Sequence, residues 1–182
     1  QDGFRERLVQ FWANHFTVRA RVSRARHLVS PYIEEAIRPY LTGRFSDMLW
    51  AVTTHPMMLI YLDQISSVGP KSRVGRRTGR GLNENLAREL LELHSIGVDG
   101  PYDQTDVRQL AELLTGLNYR TDTGFDFTEN RVEPGSEVVL GVEYPATADL
   151  ANILEVITDI ARHPATARHI CRKIAAHFIA DD

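Results

Sequence analysis

At 182 residues, 43% apolar and 25% charged, the chain is long enough for one domain with its own core, which sets aside disorder, collagen and coiled coil. A net charge of −3 counts against a general nucleic-acid binder, and no apolar run approaches the roughly 20 residues that a membrane-spanning helix needs. The single cysteine, Cys171, cannot form an internal disulfide and says nothing of compartment.

In chain order, Phe4, Leu8, Phe11 and Trp12 share one helical stripe with His15, while Asn14 points off it. A basic stretch follows with Arg19, Arg21, Arg24, Arg26 and His27. Ser30-Pro31 reads as an N-cap followed by proline at the first helical position, and that helix should stop before Pro39. Further helices are expected over residues 45–53 and from His55-Pro56 through Leu62. Residues 66–81, with Lys71, Arg73, Arg76, Arg77 and Arg80, form the longest irregular stretch. It reads as a solvated, mobile loop, or as a lid carrying arginines toward an anionic ligand. Its glycines do not have phosphate-loop spacing.

Asn83 opens a densely polar helix that Gly97 closes. Asp103 and Asp106 have the spacing of a capping box ahead of Val107, Leu110, Ala111 and Leu114. Residues 119–140 turn to short extended pieces, and two helices over residues 147–161 and 164–179 end the chain. Ala167, Ile170, Cys171, Ile174 and Phe178 share one face of the last helix, so Cys171 reads as packing and not as a nucleophile. The fold class is mainly α: an irregular multi-helix bundle with a small β-hairpin excursion around residues 118–141, in one domain over residues 1–182. The chain starts at Gln1 with neither an initiator Met nor a signal peptide and ends at Asp182 directly after an amphipathic helix, so both ends read as cuts through a longer protein or as processed ends.

Within the polar helix, Leu82, Leu86, Leu90 and Leu93 make a narrow apolar stripe, with Glu84 and Arg88 nearly opposite. Glu84, Arg88 and Glu92 form a ladder with ion-pair spacing. Asn85, Glu89 and Glu92 lie on the flank beside the core, and His94 projects from the other flank near Asn83. One reading is a solvated face with Asn83 as a cap; the other has Glu89 and Glu92 in a cleft, dividing acid and base roles, with Arg88 fixing their geometry. His15 is likewise either a core histidine whose ring N–H meets a backbone carbonyl, or a general base in a buried polar site shared with residues 83–94. No His-x-x-x-His or Glu-x-x-His element assigns a metal, nothing names a cofactor, and no nucleophile elbow of the serine hydrolases is present.

Several segments carry a resemblance. They are Phe11-Trp12-Ala13-Asn14-His15-Phe16, Tyr61-Leu62-Asp63, the run Asn83-Glu84-Asn85-Leu86-Ala87-Arg88-Glu89-Leu90-Leu91-Glu92-Leu93-His94, Gly97-Val98, Leu114-Thr115-Gly116 and His163-Pro164-Ala165-Thr166-Ala167. Together they resemble a bacterial family, domain of unknown function 1800 (DUF1800), in order along essentially the whole chain. The resemblance implies the central part of a longer, exported protein, periplasmic or extracellular, that often accompanies a sulfatase- or phosphatase-like protein. It implies no activity. The chain departs from the family at Val132-Glu133, where a His-Asp or His-Glu pair is common, and at Leu117, where Trp is common.

The reading taken forward is a non-catalytic binding or assembly module of an exported bacterial protein. One alternative is an envelope hydrolase or other acid–base enzyme using His15, Arg88, Glu89 and Glu92. Another is binding of an anionic polymer through the two arginine-rich stretches. The candidate binding residues are Asn14, Asn83, Asn85, His94, Arg73, Arg76, Arg77 and Arg80.

Overall fold

The computed structural model describes residues 2–19, 28–145 and 147–179. Arg21, Arg24, Arg26 and His27 of the first basic stretch lie outside the described residues. The helices are α1 (Asp2–His15), α2 (Val29–Ala36), α3 (Phe45–Thr54), α4 (Pro56–Tyr61), α5 (Arg73–Thr78), α6 (Asn85–Glu92), α7 (Gln104–Leu113), α8 (Leu150–Arg162) and α9 (Pro164–Phe178). Between α7 and α8 lie the strands β1 (Leu117–Arg120), β2 (Gly124–Phe127), β3 (Glu137–Val139) and β4 (Val142–Tyr144).

Local chemistry sets the helix boundaries. Twice a His-Pro pair starts a helix, with proline in the first turn. His55 Nδ1 accepts from the Met57 N–H at 3.0 Å to open α4, and His163 Nδ1 accepts from the Ala165 N–H at 3.2 Å to open α9. Each ring fills one of the orphan donors of a first turn. The capping box of α7 is complete: Asp103 accepts from the Thr105 and Asp106 N–H groups, and Asp106 accepts from the Asp103 N–H. Its second carboxylate oxygen accepts from the Leu140 N–H at 2.7 Å, which ties β3 and its turn to α7. Ser30 is not the cap of α2: the helix begins at Val29, and no side chain caps it. Asp149, two residues after the expected start, caps α8.

One apolar core joins the helices and both hairpins, with Phe16, Ile37, Leu49, Met58, Leu86, Leu90 and Leu110 fully enclosed. On α6 the buried face is Leu86, Ala87, Leu90 and Leu91, while Leu93 is exposed, so the real stripe is rotated from the expected one. On α9 the buried residues are Ala165, Thr166 and Ile170, and Cys171 is exposed, not packed. Tyr32 of α2 is buried and donates to the carbonyl of Phe16, just past α1, at 2.9 Å. Tyr32→Phe is expected to lower unfolding free energy in urea by about 1.5 kcal/mol, since it strands a buried acceptor.

The β excursion is two hairpins, not one, and it runs on to Tyr144. β1 and β2 pair antiparallel with Leu117 opposite Phe127, and β3 and β4 with Glu137 opposite Tyr144. Residues 66–81 also differ from an irregular loop. Ser72 accepts from the Gly75 N–H to cap α5, and Gly79, with φ of 69°, closes it. The Gly69 N–H donates to the Arg131 carbonyl at 2.8 Å and the Lys71 N–H to Glu133 Oε2 at 2.9 Å. The alternating turn residues hid a short helix with buried anchors.

Candidate functional site

The asparagines of the polar run hold its entry. Asn83 Oδ1 accepts from the Asn85 N–H at 2.9 Å, while its amide donates to the Asp63 carbonyl at 3.1 Å and to Ser66 Oγ at 3.3 Å. Asn85 donates to the Leu62 carbonyl at 3.4 Å. Residues 61–63 and 83–85, two of the resembling segments, therefore meet at one junction. Asp63 there has a left-handed backbone, φ 57°, which the surrounding hydrogen bonds hold in place.

Arg88 is half exposed and reaches Glu84 at 3.1 Å, Glu92 at 3.2 Å and Gln104 of α7 at 3.0 Å. Gln104 returns a hydrogen bond to Glu84 at 2.9 Å. This network clips α6 to the start of α7 at the surface, where each ion pair contributes under about 1 kcal/mol. Glu89 is half buried, and its carboxylate has no hydrogen-bond or ion-pair partner among the described residues. Burial, and then the charge of Glu92, raise its carboxyl above the usual range.

His15 faces neither carboxylate through a hydrogen bond. Its Nε2 donates to the carbonyl of His94 at 3.1 Å, which fixes the neutral tautomer and leaves Nδ1 bare. His15 Nδ1, His94 Nδ1 and His169 Nε2 are all buried without a partner. The His15 ring lies 6.3 Å, centre to centre, from both His94 and His169. Three helical segments thus deliver three imidazoles to one place: the end of α1 brings His15, the exit of α6 brings His94, and the body of α9 brings His169. Burial drives His15 down to about 4 and His94 down to about 3, and the ammonium of Lys173 pushes both the same way. Burial and then Lys173 also lower His169, and burial lowers Lys173 itself. The expectations for His15 meet here, because it is a core histidine bonded to a backbone carbonyl and also part of a polar cluster that includes His94.

In front of this cluster lies an open cleft of about 450 Å³ between residues 96–101 and α9. Arg168, His169, Arg172 and Lys173 form its helical wall, and Asp99 is the acid that lines it. Arg168, Arg172 and Lys173 have no ion pair or side-chain hydrogen bond among the described residues. Gly97 has φ of 98°, and a Cβ there would stand 2.8 Å from His169 Nδ1, so the glycine both turns the chain after α6 and admits the ring. Among the described residues no group of three or more His, Cys, Asp or Glu is placed to hold a metal ion. The Lys173 charge beside the imidazoles also opposes a cation.

Of the arginines in residues 71–80, Arg73 and Arg76 line a second, more open cleft of about 460 Å³ with Lys71 and Glu129. Arg80 instead donates to the Ser66 carbonyl at 2.8 Å, and Arg77 is exposed. Asn14 is exposed in the last turn of α1, away from the histidines. Glu133, at the position where the chain departs from the family pattern, is buried; it accepts from the Lys71 N–H, and its own N–H donates to Thr115 Oγ1. Glu137 is buried beside it, its carboxylate has no hydrogen-bond or ion-pair partner among the described residues, and burial raises that carboxyl to about 7, helped by Glu112 and Glu133.

Sequence reasoning missed His169, Lys173 and Glu137, and marked Glu133 only as a departure from the family pattern. His169 and Lys173 had a signal, the 166, 169, 170, 173 spacing on α9, which the choice of Ala167 and Cys171 as the apolar face obscured. Glu137 had none, because a glutamate in a three-residue strand reads as a solvent-facing position.

The comparisons with known proteins bear on the whole chain. No curated protein and no solved structure matches it. The family described as Protein of unknown function (DUF1800) matches residues 1–182. The resembling segments include residues of the 61–66 junction, His15 and His94 of the histidine cluster and the cap of α9, and on the match over residues 1–182 the chain belongs to the DUF1800 family.

Proposed function

We propose that this chain is a non-catalytic binding module that captures an anionic group, of phosphate, sulfate or carboxylate chemistry, in the cleft between α9 and residues 96–101. The observation that carries this reading is the presence of three cations, Arg168, Arg172 and Lys173, in one cleft with no carboxylate paired to any of them among the described residues. Unpaired guanidinium and ammonium groups that converge on a concavity supply charge-assisted donors for an anion. An acid–base enzyme built on His15 and Glu89 or Glu92 would need the ring and a carboxylate within hydrogen-bond reach, whereas the ring is bonded to the His94 carbonyl. In an exported bacterial protein working beside a sulfatase- or phosphatase-like partner, such a cleft would hold the anion that the partner releases or attacks.

Titration calorimetry with sodium sulfate and sodium phosphate tests the reading. Saturable binding that weakens with added salt is expected, and Arg172→Ala should weaken it about tenfold, the usual worth of one charge-assisted contact. Absence of saturable binding, or an Arg172→Ala protein that binds as the wild type does, would remove the proposal.

A further inference from the structure

We infer that the cleft takes up its anion together with a proton, and that His169 is the group that receives the proton. This rests on the anion-binding reading above and adds the linkage to it.

His169 is the member of the histidine cluster that also lines the cleft. Its Nε2 is buried and has no partner, so the ring carries an unused proton acceptor at the boundary between cleft and core. The Leu93 backbone supports the ring on its other side, and Gly97 leaves room for it. His15 and His94 lie deeper and do not line the cleft, so solvent and ligand reach His169 first.

The charges around the ring can be taken element by element. On α9, Arg168, Arg172 and Lys173 oppose a second positive charge, and His177 lies one turn beyond Lys173. From α1 comes His15, and from the exit of α6 comes His94, both neutral at neutral pH. From the facing turn comes Asp99, the acid that lines the cleft. Without an anion, burial and then the charges of Lys173 and Arg172 disfavour the imidazolium form of His169. An anion between the cations reverses the field at the ring. The imidazolium then becomes the favoured form, and a proton passes from solvent to Nε2 with no other bond made or broken. Because binding and protonation favour one another, affinity must rise as pH falls.

Sulfate is the probe, because it remains a dianion throughout the range from about pH 7.5 to about pH 5.5, and any proton taken up belongs to the protein. Its affinity is expected to rise toward tenfold per pH unit as one proton is taken up, about the limit that linkage sets. Calorimetry in buffers of different ionisation heat should count close to one proton. His169→Asn and His169→Gln should bind sulfate with an affinity that no longer changes with pH. In case both variants misfold, the ¹⁵N shifts of the wild-type His169 ring should move from neutral to imidazolium values when sulfate is added at about pH 6.5.

Sulfate binding in the wild type that does not vary with pH would overturn the coupling and leave the anion reading standing. Dependence on pH that persists in both variants, or a ring that stays neutral with sulfate bound, would overturn the assignment to His169. Absence of sulfate binding at any pH would bring down the anion reading and this inference with it.

Discussion

Acidification from about pH 7 to about pH 4 is expected to take several kcal/mol from the stability of this protein, with the buried histidines as the main cause. His15 and His94 sit near 4 and 3 in the folded chain, against an ordinary value of 6.5. Between about 6.5 and about 4 the unfolded chain therefore binds protons that the folded chain excludes. Their contribution is complete above pH 6.5 and declines as pH falls through that window. At 1.36 kcal/mol per unit, His15 alone accounts for about 3 kcal/mol, and His94 acts in the same direction. Urea unfolding at a series of pH values reads the slope directly. His15→Gln, whose amide can still donate to the His94 carbonyl, should show a visibly flatter profile in that window; an unchanged slope would mean that the ring is not held neutral.

Glu137 works against the histidines and must be separated from them. Its carboxyl is raised to about 7 in the folded chain, above the ordinary 4.5. Between those values the folded chain holds a proton that the unfolded chain has lost. The stability from this group is present below about pH 4.5 and is lost as pH rises through 7. By the same conversion it offsets roughly one of the two histidines, about 3 kcal/mol, so the wild-type profile should be shallower than the histidines alone would give. Repeating the pH series in Glu137→Gln removes the opposing group. The acid-induced loss should then steepen.

Much of the helical framework was legible in the sequence because it rests on local chemistry. The Asp103 and Asp106 spacing and the prolines after His55 and His163 each act within a few residues and sit where they were read. By contrast, α6 stops at Glu92, short of the Gly97 that was read as its end. In residues 66–81 the Ser72 cap and the Gly79 stop of α5 are local. The anchors of the stretch come from afar, from the Arg131 carbonyl and the Glu133 carboxylate about sixty residues on, and these were not legible. The candidate site divides in the same way. The Glu84, Arg88 and Glu92 ladder follows from spacing alone, and so does its surface character. The histidine cluster is assembled from residues 15, 94 and 169, and no periodicity within one helix reports a meeting of three. The family signature marked two of the three without saying that they converge. Fold patterns are written locally, whereas this cleft is written in contacts between distant segments.

Gly75→Ala should show how strongly those distant contacts order residues 66–81, with an expected loss of about 3 kcal/mol. Gly75 lies buried in α5, where helix propensity alone would favour alanine by about 1 kcal/mol. A Cβ at this position would stand 2.2 Å from the Gly69 carbonyl oxygen and 2.7 Å from that of Pro70. Both are backbone atoms, so no side-chain rotation can relieve the clash. Either α5 moves away from residues 69–70 or that segment gives up its bonds to Arg131 and Glu133. Steric cost therefore outweighs propensity and sets the sign. The same exchange at Gly3, in open space on α1, should stay within about 1 kcal/mol of neutral, which separates a general glycine effect from this packing effect. Amide exchange should report the place: in Gly75→Ala, protection at Gly69 and Lys71 should fall well before protection in the α6 core. Unchanged protection with unchanged stability would mean that α5 can shift without disturbing its anchors.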